Sequence, residues 1–117
     1  MQYLLLIYSN EAEMGARTAS AMASMMAEYT EFTKGIIQAG HFKAGDRLRP
    51  TSAATTVRVR NGQVAVTDGP FAETREQLGG YYLVEAKNLD EATTIAARIP
   101  GAKVGSIEVR PIWPVEA

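Results

Sequence analysis

The sequence predicts an α+β protein with a ferredoxin-like split βαβ protomer, and three observations carry that expectation. Strand-patterned and helix-patterned segments run in the order strand, helix, strand, inserted hairpin, strand, helix, strand. The strand at 2–8, and the one at 81–86 apart from Glu85, are apolar on both sides, so both faces of the sheet need cover. The two helices of a split βαβ unit lie on one face only. The inserted hairpin, with one small apolar side, is a poor cover for the other. A second copy packed face to face is the simplest cover, so the expected assembly is a homodimer forming a dimeric α+β barrel. The rival is a monomer whose 55–67 hairpin folds across that face.

Each element has its own warrant. Gln2 to Tyr8 (QYLLLIY) reads as the first strand, with Tyr3, Leu5 and Ile7 on one side and Leu4, Leu6 and Tyr8 on the other. Ser9 to Arg17 reads as a polar connector. From Thr18, an N-cap residue, apolar side chains recur at helical spacing through Met22, Met25, Met26, Tyr29, Phe32, Ile36 and Ile37. Gly40 is the expected stop. The methionines read as packing filler rather than as the lining of an adaptable groove.

His41 to Leu48 is a shorter strand, ended by Arg49-Pro50. Thr55 to Thr67 is a hairpin with Asn61-Gly62 at its tip, the signal of a two-residue type I′ turn. In that register Val57, Val59, Val64 and Val66 share one side, while Arg58, Arg60 and Gln63 share the other. Tyr81 to Ala86 reads as a central strand. Asn88 with Glu91 makes a capping-box start, and Leu89, Ala92, Ile95, Ala96 and Ile99 form one stripe that Pro100-Gly101 ends. Gly105 to Pro111 is the last strand, with Ile107 and Val109 inward and Glu108 and Arg110 outward.

Composition narrows the function. The 117 residues suit a single domain, 1–117, with one core. A net charge of -1 offers no basic field to hold phosphate backbones, so nucleic acid is not an expected partner. There is no cysteine, which removes disulfides, thiolate chemistry and cysteine-bound zinc. Neither a signal segment nor a membrane span is indicated at the N-terminus, and the expected location is the cytoplasm. No metal is expected from a single histidine and scattered carboxylates, and no cofactor motif is present.

The stretch from Asp68 to Tyr82, DGPFAETREQLGGYY, is the candidate functional loop. It opens on a turn-forming Asp-Gly-Pro, carries Asp68, Glu73, Arg75 and Glu76, and closes on Gly79-Gly80 before two tyrosines. A carboxylate desolvated beside aromatic groups can serve as a general acid or base, which makes Asp68 the catalytic candidate. The competing reading has Asp68 capping its own turn. Glu73 could hold a cationic ligand group or pair with arginine on the surface. Tyr81 and Tyr82 point to opposite sides of their strand, one under the helices and one toward the uncovered face. His41, just after a helix C-terminus, reads as a capping group or a proton shuttle. Arg110 completes the set of ligand-binding candidates.

TDGPFAETREQLGGYYLVEA at 67–86, GSIEVRPIW at 105–113, the N-terminal QYLLLIY, GHFKAGDRLRPTSAATTVRVRNG and the LDEA helix start closely resemble the DGPF (DGPFAETKE) proteins of the YCII-related, or YciI-like, family. The resemblance covers nearly the whole chain. It implies a dimeric α+β barrel of ferredoxin-like protomers, a pocket for a small organic molecule, and an association with extracytoplasmic-function sigma factors through gene neighbourhood. The YciI branch carries a histidine in its first helix and an aspartate after its second, proposed as a catalytic pair. This chain has no histidine in that helix, and Ile99-Pro100 stands near the aspartate position. Many DGPF relatives also carry histidine before the last strand, where this chain has Lys103-Val104-Gly105. Two functions follow as expectations. One is binding of, with acid/base chemistry on, a small polar molecule beside the DGPF loop. The other is a non-catalytic regulatory or sensing module with a sigma-factor partner.

Overall fold

The computed structural model describes residues 1–115; residues 116 and 117, at the end of the expected 1–117 domain, lie outside the described residues. Strand β1 (Gln2–Ser9) leads into a short helix α1 (Glu11–Gly15) and a long helix α2 (Ala19–Gln38). Strand β2 (Phe42–Arg47) follows, then the hairpin strands β3 (Thr55–Arg60) and β4 (Gln63–Asp68). Strand β5 (Gln77–Glu85), helix α3 (Leu89–Ala97) and strand β6 (Ser106–Pro111) complete the order. Single 3-10 turns sit at Thr51–Ala53 and Pro100–Lys103.

Strands β2, β5, β1 and β6 form one sheet in that order, every neighbouring pair antiparallel. The architecture is α+β, and its topology is compatible with a ferredoxin-like fold. Helix α2 begins where the hydroxyl of Thr18 accepts the Ala21 amide at 3.0 Å, and ends at Ala39, followed by Gly40 at φ +80°. Helix α3 has the reciprocal cap: Asn88 accepts the Glu91 amide, and the Glu91 carboxylate accepts the Lys87 amide.

The core forms between these helices and one face of the sheet. Tyr3, Leu5, Tyr82 and Val84 meet Phe32 and Ile36 of α2 and Ala92, Ile95 and Ala96 of α3, with Ile99 just beyond. Leu89 was expected in the α3 stripe but is half exposed, because it opens the first turn, short of the sheet. On the other sheet face, Leu4 pairs with Leu83 and Leu6 with Tyr81, and these side chains remain only half buried.

Two further departures from the sequence reading have physical causes. The polar connector at 9–17 contains α1, whose N-cap Asn10 accepts the Glu13 amide at 2.9 Å; five residues carry no apolar stripe to announce them. Strand β5 begins at Gln77 rather than Tyr81 and takes in Gly79 and Gly80. Pairing on both sides, with β1 and β2, outweighs the weak strand preference of glycine. A Cβ at Gly80 would also stand 3.0 Å from the Asp46 carbonyl oxygen.

The hairpin does not do what the rival monomer required of it. The hairpin has the predicted register, Val57 opposite Val66 and Val59 opposite Val64, with Asn61 and Gly62 at positive φ. It stands as a separate two-stranded sheet with its valines 58–68% exposed, so it does not cover the open sheet face.

Candidate functional site

A cleft of about 720 Å³ opens between α2 and the β2–β5 side of the sheet. That lies within the range of about 300–1,000 Å³ usual for small-molecule sites. Its helix wall carries Met22, Met25 and Met26, then Tyr29 and Thr33 a turn or two on; its sheet wall carries Phe42 and Tyr82. Arg47, Arg49 and Lys34 line it as well. A shallower hollow between α2 and the end of α3 contains the Lys103–Glu28 pair at 3.6 Å.

Two glycines make room for the tyrosines. A Cβ on Gly45 would lie 2.7 Å from the Tyr82 ring, and one on Gly101 2.6 Å from the Tyr29 hydroxyl. Tyr82 is held edge-on by Phe32 at 5.2 Å between ring centres and by Phe42 at 6.4 Å. Its hydroxyl lies 2.7 Å from Thr33 Oγ1. Burial raises the pKa of Tyr82 above the ordinary tyrosine value, against the lowering effect of Thr33. Burial also raises that of Tyr29, opposed by the Gly101 backbone and reinforced by Tyr82. Both phenols, neutral at physiological pH as an ordinary tyrosine is, can donate hydrogen bonds.

The edge of the cleft is stapled together by segments remote in sequence. The Glu11 carboxylate accepts the Thr51 amide at 2.8 Å and the Thr51 hydroxyl at 2.7 Å, tying α1 to the 3-10 turn. The Glu11 amide donates to Gln77 Oε1 at 2.9 Å, and Asn10 Nδ2 donates to the Arg75 carbonyl at 3.3 Å. Glu76 accepts the Ser106 hydroxyl at 2.8 Å. The second half of the DGPF segment thus acts as a clamp on α1, which contributes Met14 and Gly15 to the cleft.

The predicted site residues are dispersed. Tyr82 lies in the cleft wall. Tyr81 borders it but projects from the opposite sheet face, where its hydroxyl donates to Asp46 Oδ2 at 2.6 Å. That bond, and then the charge of Asp46, raise the Tyr81 pKa. Asp68 ends β4 on the exposed hairpin and does not line the cleft; its carboxylate accepts no hydrogen bond among the described residues. The turn is held instead by the Gly69 amide donating to Ala54 O at 2.7 Å, with Gly69 at φ +96°. Glu73 is exposed in the loop. His41 Nδ1 lies 2.8 Å from the Glu85 carbonyl oxygen, which can only accept, so Nδ1 carries the proton. Its backbone joins α2 to β5 through Ile36 and Glu85, an anchoring role away from the cleft. Arg110 pairs with Glu108 on its own strand, and that carboxylate raises its pKa.

Sequence reasoning missed Tyr29, Thr33, Arg47 and Arg49. The signal for the helix wall was present in Met22, Met25 and Met26, one helical face of polarizable side chains. Among the described residues no set of three or more histidine, aspartate or glutamate side chains converges as metal ligands, and no helix is long and apolar enough to cross a membrane.

The YCII-related domain model matches residues 1–116. The chain is also 39% identical over 114 residues to "Uncharacterized protein R00369" of Rhizobium meliloti (strain 1021), an alignment spanning 96% of this chain and 92% of that protein. With the match running nearly end to end, the chain belongs to the YCII-related domain family.

Proposed function

We propose that this YCII-related protein binds a small organic molecule in the cleft between α2 and the sheet. The observation that carries the reading is the cleft itself: a large hollow with apolar walls, neutral phenols and a cationic border. Two of its tyrosines fit only because glycine faces them. The DGPF segment serves the site indirectly, by holding α1 in place. Nuclear magnetic resonance of ¹³C-methyl methionine, over a panel of small organic molecules, tests this. Ligands should shift Met22, Met25 and Met26 and leave Met1 unmoved, with Asp68→Asn binding as wild type does. Ligands that shift only residues outside the cleft would remove the reading.

The working unit is proposed to be a homodimer joined through the open sheet face, as in a dimeric α+β barrel. Leu4, Leu6, Tyr8 and Leu83 support it, since half-buried apolar side chains in the middle of a sheet call for a facing layer. Light scattering should give twice the chain mass for wild type and the chain mass for Leu6→Glu/Leu83→Glu. A wild type that is monomeric at micromolar concentration rejects the dimer.

The exposed valine face of the hairpin favours a second reading, a protein-docking regulatory module, for which the family resemblance suggests a sigma-factor partner. That reading requires hairpin substitutions, rather than cleft substitutions, to abolish the output of a sigma-dependent reporter.

A further inference from the structure

We infer that the ligand of the cleft is a carboxylic acid with an apolar body, bound as its anion. The inference rests on the cleft being a ligand site and concerns the charge and shape of what enters it. Its starting point is the state of the charged groups around the hollow. The Glu11 carboxylate is occupied by the amide and hydroxyl of Thr51, and Asp46 by the Tyr81 hydroxyl. Both carboxylates keep their charge, but Glu11 has both oxygens turned to Thr51 and Asp46 bonds a hydroxyl on the opposite sheet face, so neither is aimed into the cleft. On the other side of the balance, Arg47 and Arg49 make no ion pair among the described residues, and Lys34 makes only a loose, exposed contact of 3.7 Å with Glu31. Arg47, Arg49 and Lys34 against Glu11 and Asp46 leave the border with a formal excess of one positive charge.

The interior adds donors. Tyr82 and Thr33 share one hydrogen bond between two hydroxyls; whichever donates within the pair, one hydroxyl proton is left to point elsewhere. Tyr29 supplies a second phenol in the helix wall. Neutral donors with cations beyond them suit an anionic oxygen acceptor. The rest of the wall includes Met22, Met25, Met26 and Phe42, an adaptable apolar surface for a hydrocarbon or aromatic body. A strongly polar ligand such as a sugar would leave most of its hydroxyls facing thioethers, and a primary amine would face arginine.

Octanoate, octanamide and octylamine share a body and differ in the head group, and methionine-methyl titration compares them directly. Octanoate should shift the Met22, Met25 and Met26 methyls and bind about tenfold or more tighter than octanamide, with octylamine weakest. The double variant Arg47→Gln/Arg49→Gln should bring octanoate to within about twofold of octanamide. Added salt should weaken octanoate alone. Equal or tighter binding of the amide or the amine overturns the acid and leaves the cleft as a site for another class. If none of the three shifts those methyls, the cleft reading falls with it.

Discussion

The hairpin and the four-stranded sheet use the same alphabet to opposite effect. Both are antiparallel and rich in aliphatic residues. The hairpin alternates valine with polar residues in unbroken register, while β1 is apolar on both sides and the sheet's ladders shift between Ile7 and Tyr8 and between Phe42 and Ala44. In the sheet, Leu5 and Val84 are 0% exposed; in the hairpin, Val59 and Val64 are 58% and 68% exposed. The difference lies in what stands opposite. Leu5 and Val84 face two helices, while the hairpin is held by its Asn61-Gly62 turn, its ladder and the knot at Gly69. Its projection shows in the radius of gyration, 16.3 Å against about 13 Å for a compact domain of this length. Alternation therefore specifies a strand and its two sides, and only a facing layer turns one side into core.

The comparison breaks most sharply on a pair of substitutions. Leu5→Ala should destabilise the chain by about 2–5 kcal/mol, whereas Val64→Ala should change monomer stability by less than about 0.5 kcal/mol in urea unfolding. Comparable effects would mean that the hairpin has a hidden partner surface within its own chain.

A smaller effect sharpens the account of the sheet's helix side. Gly45→Ala puts a methyl against the Tyr82 ring, which Phe32 and Phe42 prevent from retreating. It should cost about 1–3 kcal/mol. Gly62→Ala, at φ +75° in the hairpin tip with open space around it, should cost about 1 kcal/mol through backbone strain alone. If Gly45→Ala proves the milder of the two, the seating of Tyr82 is looser than described.

The smallest effect is the dependence on pH. Tyr29 and Tyr82 have folded pKa values above their unfolded ones, so the folded chain holds these protons more tightly. Their contribution is complete below the unfolded value of about 10 and is lost as pH rises through the raised values. Stability should therefore fall above about pH 10, and Tyr29→Phe or Tyr82→Phe should flatten that fall. The hairpin holds no tyrosine, so its substitutions should leave the slope untouched.

Much of the scaffold was legible because its signals are local. Thr18 and Asn88 announce helix starts, Asn61-Gly62 announces the hairpin, and the two-sided apolar strands announce the centre of the sheet. The failures were also local. Gly79-Gly80 reads as a turn, and only two neighbouring strands make it a strand. The site was legible in part. The charged DGPF segment drew attention as a place for chemistry, and its polar groups prove to be joints to α1 and β6. The cleft brings together residues from both ends of α2, the end of β2 and the middle of β5. No spacing in the chain announces that convergence. Tyr82 was found because two adjacent tyrosines on a strand must part to opposite faces; Tyr29 was counted simply as one more core position of its helix.

The stapling of Asn10 and Glu11 to Thr51, Arg75 and Gln77 has a consequence for how variation reaches the ligand. Two stretches far apart along the polypeptide, Thr51 and residues 75–77, share custody of one small helix, so under the proposed binding role an exchange in either should alter how readily a guest escapes. Such changes should register as shorter residence times, read alongside any shift in melting. Relatives differing only in that shared joint could then retain one guest and release it at different speeds.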